Sequence, residues 1–191
     1  MGHPFKENVE LVSFHSISKG ISGDCGFRGG YFEYNNIDPH VQEMIVKMKS
    51  VALCSNTIGQ VGMGLMVNQP TLDTVSQEVF DLHEREKKVV FDGLKERSVM
   101  LTDALNANDH ITCTDIEGAM YAFPRLHFPQ KFVDKCREEG KVPDGAYCFA
   151  LLEETGIMVV PGSGFEQVDG THHFRITNLI ADNVKLNDAL Q

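Results

Sequence analysis

The sequence carries little that would mark it for a membrane, a metal or a nucleic acid. No stretch approaches the ~20 apolar residues needed to cross a bilayer. The start, Met1-Gly2-His3-Pro4-Phe5-Lys6, lacks the apolar segment of a secretory signal. Gly2 suggests N-myristoylation, but Lys6 stands where that signal wants Ser or Thr. The five cysteines, Cys25, Cys54, Cys113, Cys136 and Cys148, include no Cys-x-x-Cys pair and no zinc-like Cys/His spacing. No metal is expected, and the odd, scattered thiols fit a reducing compartment, cytoplasmic or else mitochondrial. A basic stripe is absent too: 17 Lys and Arg are mixed with 27 Asp and Glu, for a formal net charge of -10. That balance argues against binding nucleic acid or anionic membranes. A small anionic ligand stays open, since it needs only one or two placed cations.

What remains is ordinary for a soluble globular chain. The 191 residues, 42% hydrophobic and 23% charged, suffice for one large or two small domains. Val9 to Phe14 is short, apolar and β-branched, as a buried strand would be, and Tyr31 to Tyr34 suggests a second strand. Asp38-Pro39 and Asn56 are helix starts, the second helix ending before Pro70. Met44, Met48, Met63 and Met66, at helical spacing, are expected in the core. The longest helical run goes from Ser76 to about Asn106, with Val90, Leu94, Leu101 and Leu105 on one face.

Beyond it, strands are expected near Ile111, over Met120 to Leu126, over Ile157 to Val160 and over His172 to Ile180. Helices are expected from Gln130 to Glu139 and from about Ala146 to Glu154, the latter stopped by Gly156. Strands interleaved with helices indicate an α/β or α+β layer fold. A boundary falls near residues 70 to 76. There are no repeats.

The chemically informative stretch is Ser16-Ile17-Ser18-Lys19-Gly20-Ile21-Ser22-Gly23-Asp24-Cys25-Gly26-Phe27-Arg28-Gly29-Gly30. Hydroxyls, exposed backbone N–H groups and an arginine fork together suit a phosphate. A lysine amine that is neutral attacks carbonyl carbon, and nearby positive charge favours the neutral form. Those are the needs of a pyridoxal-phosphate site. The P-loop pattern is absent, and the Ser16-x-x-Lys19 pair of β-lactamases lacks its companion motifs. On spacing alone, a glycine-rich surface turn with incidental Lys and Arg is the commoner case.

The run Ser13 to Gly20 continuing to Gly26-Phe27-Arg28-Gly29-Gly30-Tyr31 resembles the lysine segment of the alanine aminotransferases, pyridoxal-phosphate enzymes of fold type I, class I/II. Arg28 follows Lys19 by nine residues, one more than in most related aminotransferases and as in the alanine subgroup. The likeness continues through Gly118-Ala119-Met120-Tyr121-Ala122-Phe123-Pro124-Arg125, Val159 to Phe165 and Gly170-Thr171-x-His173-Phe174-Arg175-Ile176-Thr177.

The resemblance implies an α/β chain: residues 1–70 from the carboxy-terminal part of the large cofactor-binding domain, then 71–191 as a small α+β domain. It implies pyridoxal 5'-phosphate as cofactor and exchange of an amino group between L-alanine and 2-oxoglutarate. It also implies a homodimeric parent. Lys19 would hold the cofactor as a Schiff base and move the proton. Ser16 and Arg28, with Ser18 as a further contact, would hold its phosphate, and Arg175 would grip the substrate α-carboxylate through two hydrogen bonds. His15 is expected to be structural. His172 and His173, adjacent in a strand, point to opposite faces and make no metal pair.

Other parts of that machinery have no place here. Only 18 residues precede Lys19, too few for the aspartate that pairs with the pyridine nitrogen or for the stacking aromatic. After Thr177, Asn178-Leu179-Ile180-Ala181-Asp182 replaces a proline-containing continuation. The chain alone is therefore expected to be inactive. Alternatives are another aminotransferase or lyase of the same fold, or a non-catalytic structural or interaction module.

Overall fold

The computed structural model describes residues 5–19, 23–180 and 182–190. The Gly2 reading and the Gly20-Ile21-Ser22 part of the lysine loop lie outside the described residues. The chain separates into two compact units, Met1–His83 and Glu84–Gln191.

In the first unit, β1 (Leu11–Ser16) and β2 (Gly30–Asn35) form an antiparallel ribbon, Ser16 opposite Gly30 and Leu11 opposite Asn35. Two helices follow, α1 (Pro39–Val51) and α2 (Thr57–Val67). Both start as their sequences dictate. The Asp38 side chain accepts from the His40 N–H at 2.8 Å with Pro39 in the first turn, and Asn56 accepts from the Ile58 N–H at 3.1 Å.

Burial departs from expectation. The β1 strand is largely exposed, Phe14 to 78%, and so are Met44 and Met48, at 55% and 73%. Met63 is buried and Met66 only partly so. Among the described residues of this unit, Ile17 and Met63 are its buried large apolar side chains. A two-stranded ribbon and two helices present more apolar surface than they can cover for one another.

A long helix, α3 (Gln77–Asn106), carries the chain across the junction between the units. The second unit then adds β3 (Ile111–Thr112), β4 (Tyr121–Ala122), β5 (Arg125–Leu126), α4 (Gln130–Glu138), α5 (Pro143–Thr155), β6 (Val160–Pro161), β7 (His172–Thr177) and α6 (Asn183–Leu190). The central strand is β7, with β4 and β5 along one edge and β6 along the other, all antiparallel.

The single strand expected over Met120 to Leu126 is interrupted, yet its register never slips. Tyr121 faces Thr177 and Leu126 faces His172 in one continuous count. Pro124 has no N–H to give, and its carbonyl still accepts from the Phe174 N–H at 3.3 Å. Helix α5 begins earlier than the apolar pattern suggested because Pro143 opens it; Gly156, at φ 77°, ends it.

Leu101, Leu105, Ala122, Leu126, Cys148, Val159 and Phe174 form the core of this unit. Fully burying a side chain such as Leu101 contributes about 1.5–3 kcal/mol. Period-two alternation splits the strand side chains cleanly. Phe174 goes into the core, while His173 and Arg175 fall on the opposite face with Tyr121 and Phe123.

Candidate active site

The lysine loop is closed at its base by backbone. The Ile17 N–H donates to the Gly29 carbonyl at 3.2 Å, and the Asp24 N–H donates to the Ile17 carbonyl at 3.1 Å. The Ser16 hydroxyl bridges the same mouth: it donates to Gly29 O at 3.4 Å and accepts from the Ser18 N–H at 3.0 Å. Opposite it, a short 3-10 turn over Cys25–Phe27 ends with Arg28 in the left-handed region at φ 54°. Arg28 Nη1 donates to the Cys25 carbonyl at 2.9 Å. One carbonyl engages one of the five N–H donors of a guanidinium.

Packing on α2 explains why the loop takes this path. A Cβ at Gly29 would lie 2.5 Å from the Gly59 carbonyl, and one at Gly59 would lie 2.8 Å and 3.0 Å from the carbonyls of Phe27 and Arg28. Only two glycines allow that approach. Asn56 adds a tie, donating from Nδ2 to the Phe27 carbonyl at 2.7 Å.

Ser16 and Ser18 thus meet at the loop mouth, Arg28 stands beside the Gly29 carbonyl that closes it, and Lys19, exposed, sits in the same loop three residues beyond Ser16. Two hydroxyls and a guanidinium are donors that a phosphate monoester takes. The residues present therefore fit the phosphate of pyridoxal phosphate. His15 lies at the end of β1 with its ring 5.6 Å from that of Tyr31.

Arg175 lies in the second unit, half-buried in β7. Its guanidinium carbon is 4.7 Å from the Tyr121 ring centre and 4.9 Å from that of Phe165. Two rings on a delocalised cation fix its plane while leaving its edge N–H groups to bind. Nothing in the Arg175 strand motif itself announces these neighbours. Phe165 and Tyr121 stand within stretches that carried the resemblance, but their role is visible only in space.

The residue pattern of aminotransferase class I and II fits residues 3–186. The chain belongs to that family. Its members and the solved structures that resemble this chain are pyridoxal-phosphate-dependent enzymes of α/β fold. The chain is 48% identical over 179 residues to alanine aminotransferase 2 of Xenopus tropicalis, covering 94% of this chain and 34% of that protein. It is 46% identical over 183 residues to glutamate–glyoxylate aminotransferase 1 of Arabidopsis thaliana, covering 96% of this chain and 37% of that one. Among solved structures, an alanine aminotransferase from Pyrococcus furiosus matches with a TM-score of 0.70 at 25% identity, over 95% of this chain and 40% of the other. The chain spans about a third of the length of these curated relatives.

The cysteines of this family member are all unbridged, Cys136 and Cys148 buried and Cys25 and Cys54 exposed. Burial pushes the Cys148 thiol up to about 11, with the Asp144 charge adding to it. No helix among the described residues is long and apolar enough to cross a membrane, and they hold no cluster able to bind a metal.

Proposed function

We propose that this chain supplies the lysine loop and the substrate-carboxylate arginine of an alanine:2-oxoglutarate aminotransferase. The observation that supports the reading is the closed loop mouth, where the Ser16 hydroxyl bonds the carbonyl of Gly29, the residue after Arg28, on the segment bearing Lys19. Pyridoxal phosphate, when bound, supplies an aldehyde and an electron-withdrawing ring. The chain's own residues supply part of the rest. Ser16, Ser18 and Arg28 would hold the phosphate, and the Lys19 amine would sit at the aldehyde end and move a proton at the substrate α carbon. Arg175 orients the α-carboxylate so that one C–H bond is presented.

We assign residues 1–70 to the large domain and 71–191 to the small one. Helix α3 spans the junction and so places no sharp line between them. The apolar surface of α1, α2 and β1 supports a homodimeric parent in which that surface is covered. The unbridged cysteines support a cytoplasmic or mitochondrial site. Near-equal identity to an alanine and a glutamate–glyoxylate aminotransferase favours one competing reading, with glyoxylate as the amino acceptor.

The test is chemical. The chain is incubated with pyridoxal phosphate, reduced with borohydride and mapped by mass spectrometry. The cofactor mass is expected on Lys19, absent in Lys19→Ala and reduced about tenfold in Arg28→Ala, the loss of roughly one charge-assisted contact. Labelling spread over surface lysines, unchanged by either substitution, would reject the site. Steady alanine:2-oxoglutarate turnover by this chain alone would overturn its expected inactivity.

A further inference from the structure

Behind Arg175 lies a polar chain that neither the family resemblance nor the lysine loop accounts for. Asp144, in the first turn of α5, is fully buried, and three donors converge on its carboxylate. The Gly145 N–H reaches Oδ1 at 2.8 Å. The Ser163 N–H reaches Oδ2 at 2.8 Å, and Gln167 Nε2 reaches the same oxygen at 2.7 Å. A carboxylate accepts and cannot donate, so Gln167 must present its Nε2 to Asp144. Its Oε1 is thereby turned to His173 Nδ1, at 3.0 Å, which makes Nδ1 the protonated nitrogen of that ring. The His173 ring lies flat on Phe123, centroids 4.8 Å apart and planes 6° apart. Phe123 in turn meets the edge of Phe165 at 5.7 Å, and Phe165 covers the Arg175 guanidinium.

Two routes therefore run from one carboxylate to one ring. The first is backbone: Ser163 belongs to the 3-10 turn Gly162–Phe165, so pinning its N–H fixes where Phe165 starts. The second passes through Gln167, His173 and Phe123 to the face of Phe165. Gly162 lets the turn lie against β7, since a Cβ there would come within 2.7 Å of His173 Cβ and 2.8 Å of His173 O.

We propose that Asp144, Gln167 and His173 are positioning residues that hold Phe165, and through it the Arg175 guanidinium, in the orientation that receives a substrate α-carboxylate. This rests on the reading of Arg175 as the carboxylate-binding residue. An arginine side chain has four rotatable bonds, and fixing its plane before binding removes an ordering cost from the complex. The ligand class is a short amino or oxo acid whose carboxylate takes two parallel N–H donors.

The experiment uses the whole chain, labelled with 15N, and succinate, a dicarboxylate with no ketone or aldehyde for Lys19 to attack. The Arg175 Nε–H resonance is identified by its loss in Arg175→Lys. In the unsubstituted chain that resonance is expected to be displaced by the flanking rings and to shift saturably with succinate. Gln167→Leu, which cuts the route to His173, is expected to broaden it, return it toward the free-arginine position and weaken succinate binding about fivefold. Asp144→Ala is expected to do more, and Gln167→Leu carries the test should that variant not fold. Leu101→Ala serves as the control: it lowers stability in the same unit without touching the chain, and is expected to leave succinate affinity unchanged while folded.

If the unsubstituted chain ignores succinate, the carboxylate reading of Arg175 fails and this inference with it. If it binds succinate and Gln167→Leu binds equally, with the Arg175 resonance unmoved, the positioning inference alone is overturned. An equal loss of affinity in Leu101→Ala would likewise overturn it, by showing that general loosening suffices.

Discussion

The two units of this chain solve the burial of apolar residues differently. The second gathers seven buried side chains from α3, β4, β5, α5, β7 and the approach to β6 into one cluster. The first has comparable apolar content but buries Ile17 and Met63, leaving Phe14, Met48, Val51 and Leu53 each more than 70% exposed. Its order comes instead from backbone: a six-residue ribbon, two side-chain helix caps and a loop pressed onto α2 through glycines. One unit is held by side-chain volume and the other by close backbone contact. The two should answer to different substitutions.

Leu101→Ala tests the first half of that contrast most severely. It removes a fully buried side chain from the cluster and should cost about 2–5 kcal/mol, read as a lowered urea midpoint for the second unit with the first unit's signals unaffected. Gly59→Ala tests the other half. Alanine is the better helix former by about 1 kcal/mol, so on propensity alone α2 would gain. The new methyl meets the carbonyls of Phe27 and Arg28 instead, and we expect a net loss of about 1–3 kcal/mol with displaced amide resonances across Ser16 to Gly30.

A smaller effect is expected from His173. Burial, then the Arg125 charge, lowers its proton affinity; His172 and His127 act the same way, and Asp144 opposes them. The folded ring therefore protonates at lower pH than the unfolded one. Stability of the second unit should fall as pH drops through the ordinary imidazole range and level off below the folded value. Urea midpoints across that range should show a shallower fall in His173→Gln. Smallest of all is Met48→Ser, which changes an exposed side chain of α1 and should shift the midpoint by less than about 0.5 kcal/mol. A large loss there would mean that the exposed face of α1 is already covered in solution.

Local chemistry was legible in the sequence where it is decided by neighbours. Asp38-Pro39, Asn56 and Gly156 mark helix ends because a cap is satisfied within a few residues. Strand β7 likewise alternates as its pattern requires. Burial was less legible. Apolar texture made β1, Met44 and Met48 look internal, because a pattern records which side chains avoid water and not whether anything lies against them. The break at Pro124 was hidden for a similar reason: the proline loses one ladder bond, while the register on either side is kept by β7.

The candidate site divides in the same way. Ser16, Ser18, Lys19 and Arg28 lie within one short segment, and the loop's return to its own base joins Ser16 and Ser18 to the Gly29 carbonyl beside Arg28. Asp144 offered no such hint, since its partners Ser163 and Gln167 are 19 and 23 residues away.

The hydrogen that stands for a side chain at Gly162 sets a condition on the turn beside β7. Any larger substituent there would meet His173, lift the following turn from the sheet and carry Phe165 off the cation below it. On the proposed reading of Arg175, a variant could thus keep its lysine, its serines and both arginines and still lose its hold on the substrate's acid group. Position 162, chemically blank, would reveal that loss before any reactive residue did.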